Sequence, residues 1–319
     1  MPRCDVNGTS LYYEVAGHGQ STLFIHGMCG NANVWDGQVE LLSQQLRCVT
    51  YDRRGHTRSP LGAIAMRTVE LHADDASALI GSLGIAPCVL VASSGGARIG
   101  VDLLRRYPQL FTAAILSEPP IFRLDPEDGG RQIMKDLQPP IEAAFRRGEP
   151  GAAVDAFFEY LCPGLWKRLT DAQKEPYRAN SAELLGDLEM PSYAIAPETL
   201  SRMDIPCAIV SGTTSHAALR RVAKVIADAM PQATLVEIEG IGHVAYAEAP
   251  EEFARIVRQW SGVSVPGARG GRSDREQGAD HEWPAFVVML FPFSSAWGGI
   301  SRGRAGVGNG GFAPRRSRD

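Results

Sequence analysis

The chain has 319 residues, 44% of them hydrophobic and 21% charged, with 32 Lys and Arg against 36 Asp and Glu. That length can bury a sizeable core, in one large domain or two small ones, without disulfides or metals. A formal net charge of −4 gives no field that favours nucleic acid. No apolar run reaches the ~18 residues a membrane span needs, and the first residues lack the apolar stretch of a secretory signal.

Taken in chain order, Leu11–Ala16 and Thr22–His26 read as strands, with no helix between them, which suggests an antiparallel edge. Asn33–Leu46 carries apolar residues near a 3.6 spacing and reads as a helix. Arg47–Tyr51 is a strand, Val69–Leu83 a helix. Cys88–Ala92 is continuously apolar, the pattern of a strand buried on both faces. Ala97–Tyr107 is helical and Thr112–Ser117 is another buried strand. Residues 119–203 are mostly helical, with many prolines. Strands at Cys207–Ser211 and Thr234–Glu239 flank a helix at Ala217–Met230, and a last helix runs from Pro250 to Trp260. This alternation predicts an α/β fold with a mostly parallel sheet and helices on both faces.

Residues 263–319 differ from the rest. They hold eight Arg and no Lys against five acids, net +3, which leaves −7 on residues 1–262, and they contain 11 of the 34 glycines. No helical or alternating period is sustained there, so this tail is expected to be disordered or weakly docked. Its exception is the apolar stretch Pro284–Trp297, too short to span a bilayer. The six cysteines (Cys4, Cys29, Cys48, Cys88, Cys162 and Cys207) form no C-x-x-C pair. They read as small buried hydrophobes of a reducing, cytoplasmic setting, with no zinc site.

Three short stretches carry chemistry. In Val89-Leu90-Val91-Ala92-Ser93-Ser94-Gly95-Gly96-Ala97 an apolar strand runs into a serine and then a helix start. A nucleophile on so sharp a turn needs small residues two places before and after it. Ala92 and Gly96 flank Ser94 in that way, whereas Ser93 would have Val91 at the crowded position. The helix N-terminus favours developing negative charge there, and the Gly95 amide would face an oxyanion. The alternative is an ordinary Ser/Gly loop. In Phe24-Ile25-His26-Gly27-Met28, Met28 is the expected second amide donor, Gly27 permits the backbone geometry, and His26 reads as a buried structural histidine. Gly240-Ile241-Gly242-His243 puts a histidine on a late loop, where it suits a general base.

With Tyr51-Asp52-Arg53-Arg54-Gly55-His56-Thr57-Arg58-Ser59-Pro60 added, these motifs in this order resemble the α/β-hydrolase fold over roughly residues 5–262. The resemblance implies an eight-stranded, mostly parallel sheet with a helical cap inserted after strand six. The core would then be residues 1–118 and 204–262, the cap 119–203. It implies Ser94 as nucleophile, His243 as base, and Met28 and Gly95 as oxyanion-hole amides. The Asp52–Ser59 run is expected to be a structural turn.

One departure matters. The family's usual acid follows strand seven in a Gly-x-x-Asp or Gly-x-Asp context, but here the loop reads Gly212-Thr213-Thr214-Ser215-His216. Strand six ends in Leu116-Ser117-Glu118-Pro119-Pro120, and active groups of open α/β sheets gather at that edge. Glu118 is therefore the expected acid, in the chain order Ser94, Glu118, His243. The Ser-Ser-Gly elbow, the Glu-x-Pro and the acid-free loop are also similar to zearalenone-type lactone hydrolases. The expected activity is hydrolysis of a small-molecule carboxylic ester or lactone, with no metal or organic cofactor and no nucleic-acid or membrane partner. Gly27, Phe158 and Trp166 are the expected substrate contacts. The competing readings are an acyltransferase or perhydrolase, a C–C hydrolase with the same triad, and a receptor-like ligand-binding member with weak turnover.

Overall fold

A computed structural model describes residues 1–64, 66–188, 190 and 192–263. The expectations for the tail beyond residue 263, including the Pro284–Trp297 stretch, lie outside the described residues.

Eight strands form one sheet: β1 (Arg3–Val6), β2 (Thr9–Ala16), β3 (Gln20–Ile25), β4 (Leu46–Tyr51), β5 (Cys88–Ser93), β6 (Phe111–Ser117), β7 (Cys207–Gly212) and β8 (Ala233–Ile238). Their order is β1-β2-β4-β3-β5-β6-β7-β8. β1 and β2 pair antiparallel, as do β2 and β4, and the remaining pairs are parallel. β1 is the strand that the apolar pattern did not announce. It is four residues long, and only Val6 is buried.

The helices are α1 (Asp36–Leu42), α2 (Val69–Leu83), α3 (Gly95–Arg106), α4 (Gly129–Arg146), α5 (Pro150–Leu161), α6 (Pro163–Arg168), α7 (Asp171–Arg178), α8 (Ser181–Leu188), α9 (Pro197–Leu200), α10 (Ala217–Ala229), α11 (Ala245–Glu248) and α12 (Pro250–Trp260). The single helix expected over 33–46 is a short 3-10 turn, Ala32–Trp35, followed by α1, which ends at Leu42.

Alternation along the central strand divides the core. Cys88, Leu90 and Ala92 of β5 face α2, α3 and α10, together with Leu79, Ile99 and Val222. Val89 and Val91 face α1 and α12, together with Trp35, Leu42 and Phe253. A strand buried on both faces therefore reads as an unbroken apolar run. Between β6 and β7 the chain inserts α4–α9. This insertion has an apolar core of its own, including Ile133, Phe157, Trp166 and Leu184, and it packs on Cys29 and Val244 of the loops after β3 and β8. Pro139 and Pro140 lie inside α4 on its exposed side, while Ile133, Leu137, Ile141 and Ala144 are buried.

Among the described residues no helix is long and apolar enough to cross a membrane. All six cysteines are free, and five of them are buried.

Candidate active site

The loops after β3, β5, β6, β7 and β8 converge at the C-terminal edge of the sheet. Ser94 is the N-cap of α3 and has φ 54° and ψ −123°. This positive-φ conformation lies outside the left-handed helical region, and a non-glycine residue adopts it only when its surroundings impose it. Its N–H donates to Ser117 O at 2.8 Å. The small neighbours are needed for space. A Cβ on Gly96 would lie 2.4 Å from Ile25 O and 2.5 Å from His26 O, so the loop after β3 packs directly on this turn.

His243 is buried and links two partners. Its Nε2 is 2.9 Å from Ser94 Oγ and its Nδ1 is 2.5 Å from Glu118 Oε2. A carboxylate only accepts, so the proton is on Nδ1 and Nε2 faces the serine as an acceptor. Its loop is fixed from below by Glu248, whose carboxylate accepts from the N–H of Gly242 at 3.2 Å and of Val244 at 3.2 Å.

Glu118 follows β6 with φ 44°, and its side chain is 1% exposed. Oε1 accepts from Ser211 Oγ at 2.8 Å and from the Gly212 N–H at 3.1 Å. Oε2 accepts from Ser215 Oγ at 2.6 Å as well as from His243. A buried carboxylate is costly unless its lone pairs are used, and four donors use them here. Ser215 occupies the last position of the Gly212-x-x-Ser215 sequence, where the resembled family carries its usual acid. The loop after β7 therefore contributes a hydroxyl that holds the glutamate. Gly212 is required for close approach, since a Cβ there would lie 2.2 Å from Gly242 O in the histidine loop.

The amides of Met28 and Gly95 are neighbours. Met28 N lies 3.6 Å from where a Gly95 Cβ would be, and a Cβ on Gly27 would meet Ser94 Cβ at 3.1 Å. His26 is fully buried. Its Nε2 accepts the Arg53 N–H at 3.0 Å and its Nδ1–H donates to Gly27 O at 2.9 Å. Burial, reinforced by the Arg53 charge, holds this imidazole well below its usual pKa, hence neutral. The Asp52–Ser59 run makes backbone contacts and ion pairs. Asp52 accepts from the Ala32 N–H at 2.7 Å and from Arg58 Nε at 2.7 Å, and Arg54 pairs with Asp75 at 2.7 Å.

Above Ser94 lies a narrow cavity of about 30 Å³. Gly27, Met28, Phe157, Phe158, Tyr177 and Tyr246 contribute to its lining with Ser94 and His243. Of the three expected substrate contacts, Gly27 and Phe158 line this cavity. Trp166 does not. It stacks behind Phe158 at 4.4 Å between ring centroids, and its Nε1–H donates to Asp155 at 3.1 Å. The correction has a plain cause: on the short helix α6 the indole points into the core of the insertion, where its buried area is largest.

Tyr246 is not marked as a site residue by any sequence motif, and Tyr177 is one of several aromatic residues of the insertion that could line a pocket. Burial pushes the Tyr177 phenol up to about 12 and the Tyr246 phenol well above its usual value. The thiols of Cys29 and Cys162, buried nearby, are pushed up by the same loss of solvation, so neither is a thiolate nucleophile. Among the described residues no His, Cys, Asp and Glu group is arranged to hold a metal ion.

The profile of the Alpha/beta hydrolase family matches residues 22–256, a span that contains every group just described. The chain belongs to the alpha/beta hydrolase family. Among curated relatives, the uncharacterised hydrolase YraK of Bacillus subtilis is 36% identical over 137 residues, 42% of this chain and 51% of that protein. The match thus spans about half of that relative's length. A putative carbamate hydrolase, RutD of Azorhizobium caulinodans, is 22% identical over 82% of this chain and 98% of its own. Among solved structures, a thermophilic esterase from Thermogutta terrifontis has a TM-score of 0.66 at 23% identity, covering 82% of this chain and 98% of that one. Est816, an N-acyl homoserine lactone degrading enzyme, has a TM-score of 0.64 at 22% identity, covering 81% and 100%. At these identities the solved structures establish the fold, and the alpha/beta hydrolase sheet seen here is theirs.

Proposed function

We propose that this alpha/beta hydrolase is a serine hydrolase that cleaves a carboxylic ester or lactone through an acyl-enzyme on Ser94. The reading rests on one observation, the unbroken hydrogen-bonded run Ser94 Oγ, His243, Glu118, with contacts of 2.9 and 2.5 Å.

In this scheme His243 Nε2 takes the Ser94 proton as Oγ attacks the carbonyl carbon. The resulting imidazolium keeps its Nδ1–H on Glu118, which holds the tautomer and stabilises the charge. The carbonyl oxygen, now negative, lies between the Met28 and Gly95 amides at the N-terminus of α3. His243 then protonates the departing alkoxide and the ester bond breaks. For a lactone the freed alcohol stays attached to the acyl group. Water, deprotonated by His243, attacks the acyl carbon, and the acid leaves as the imidazolium returns that proton to Ser94 Oγ. Ser94, rather than a carboxylate, at the elbow separates this reading from dehalogenase or epoxide hydrolase chemistry. The lining supports a short, largely apolar acyl group, because Phe157, Phe158 and Met28 leave little room above the serine.

The test is steady-state hydrolysis of a panel of p-nitrophenyl esters and simple lactones by the wild type and Ser94→Ala. Acetate and butyrate esters are expected to be hydrolysed, longer chains progressively less, with Ser94→Ala inactive. Equal rates for the two proteins would refute the nucleophile.

A further inference from the structure

The helical insertion reaches past the cavity and grips the loop that supplies the first oxyanion amide. We propose that Asn180, seconded by Asp187 acting through Arg53, is a positioning residue for the Met28 N–H. This rests on the acyl-enzyme reading above and adds to it two residues from the insertion, neither of which touches substrate.

Asn180 lies between α7 and α8 and is 3% exposed. Its Nδ2 donates to Cys29 O at 3.1 Å and Gly30 O at 3.0 Å, and also to Pro176 O at 3.3 Å. Its Oδ1 accepts from Thr57 N at 2.9 Å and Thr57 Oγ1 at 3.1 Å. One amide, more than a hundred residues from either in sequence, thus ties the loop after β3 to the loop after β4. The loop needs such a tie, because Cys29 has φ 56°, a conformation disfavoured for a side chain with a Cβ, and its buried carbonyl must have a donor.

The other end of the same loop is held by charge. Arg53 Nη2 donates to Gly27 O at 3.1 Å and to Asp187 Oδ2 at 2.8 Å, with both side chains of the ion pair 1% exposed. Gly27 C=O and Met28 N–H belong to one planar trans peptide and point in opposite directions. Fixing the oxygen with Arg53 and His26 therefore aims the N–H the other way, toward Gly95. Burial works against the charge on Asp187, but Arg53 prevails and holds the carboxyl below its usual value. Clamps on the carbonyls of Gly27, Cys29 and Gly30 bracket the Met28 amide, the one this loop offers to the oxyanion. The insertion thereby couples its own docking to the oxyanion hole.

The experiment compares wild type, Asn180→Ala, Asp187→Asn and Arg178→Ala. The last breaks an ion pair internal to the insertion, Arg178 with Asp155 at 2.9 Å, without touching the loop. Each protein is measured for kcat and KM on p-nitrophenyl acetate, per active site titrated with a fluorophosphonate. The Ki of a trifluoromethyl ketone, which forms a tetrahedral oxyanion adduct, and the Tm complete the set. Asn180→Ala is expected to lose at least tenfold in kcat, with KM within about twofold and a matching loss in ketone affinity. Asp187→Asn is expected to move the same way by less, and Arg178→Ala to lower Tm with kcat unchanged. If Asn180→Ala keeps kcat and ketone affinity within twofold and loses only Tm, as Arg178→Ala does, the proposal is wrong. If Asn180→Ala does not fold, Asp187→Asn decides on the same two readouts. A wild type with neither adduct nor turnover would instead overturn the acyl-enzyme reading, and this proposal with it.

Discussion

Glu118→Gln changes one atom of the site, and the surroundings dictate which way the new amide must point. The Gly212 N–H is a fixed backbone donor 3.1 Å from Oε1, so the glutamine oxygen has to face it. The amide NH₂ is then turned to Ser215 and His243 Nδ1, which sits 2.5 Å from the second oxygen in the wild type. A donor facing Nδ1 drives the imidazole proton to Nε2, and Nε2–H points at Ser94 as a donor where an acceptor is needed. Trapping the wrong tautomer costs about 10⁴ in kcat where it has been produced in other serine hydrolases, or about 5.4 kcal/mol of barrier. The fold should survive, because volume and both contacts at Oε1, from Ser211 Oγ and the Gly212 N–H, are kept. The assay is kcat for p-nitrophenyl acetate beside a thermal melt. A Glu118→Gln enzyme within about tenfold of wild-type kcat would refute the assignment of Glu118 and the orientation argument together.

Three further outcomes follow from the same contacts. Ser215 Oγ is 2.6 Å from Glu118 Oε2, so Glu118→Ala combined with Ser215→Asp is expected to regain roughly 10- to 100-fold of the kcat lost in Glu118→Ala, a fraction of what a triad acid supplies; a double variant no better than the single one would show that the two positions cannot exchange the acid. Gly96→Ala puts a methyl group 2.4 Å from Ile25 O and should cost about 3 kcal/mol by denaturant melt, with kcat reduced because the loop carrying Met28 is pushed away; unchanged stability would contradict the packing of the elbow on β3. Asp125, which joins the segment after β6 to α10, is held below the ordinary carboxylate value chiefly by its hydrogen bonds to Arg221, against burial and with help from the Glu127 and Gly129 amides. A depressed folded value stabilises above the unfolded pKa of about 3.9 and is lost as pH falls through the folded one. Asp125→Asn should therefore cost about 1–3 kcal/mol at neutral pH, a difference that shrinks below about pH 3.9, and a pH-independent difference would exclude the ion pair as its cause.

What the sequence revealed and what it hid divide along physical lines. Ser94 was legible because a sharp strand-to-helix turn restricts its neighbours to small residues, a local requirement. Glu118 was legible because the loop after β7 has no carboxylate and the next strand end offers one. The cradle that holds it was not, since Ser211 and Ser215 are ordinary residues until the fold brings them within 2.8 Å and 2.6 Å of the carboxylate. The contacts of Asn180, Asp187 and Glu248 are hidden for the same reason: they reach backbone or side chains distant in sequence or around a tight turn. The placement of Trp166 behind Phe158 is not legible, because an aromatic residue on an insertion helix looks alike whether it lines a cavity or supports the ring that does. Strand β1 was missed because a short edge strand with one buried residue carries almost no apolar signal.

The acyl-enzyme is the centre of the account, and intact-mass analysis after a fluorophosphonate probe tests it most directly, on wild type, Ser94→Ala and Glu118→Gln. The account predicts one adduct on the wild type, none on Ser94→Ala, and labelling slowed by orders of magnitude on Glu118→Gln. No adduct on folded wild type, or an adduct that persists on Ser94→Ala, would contradict it.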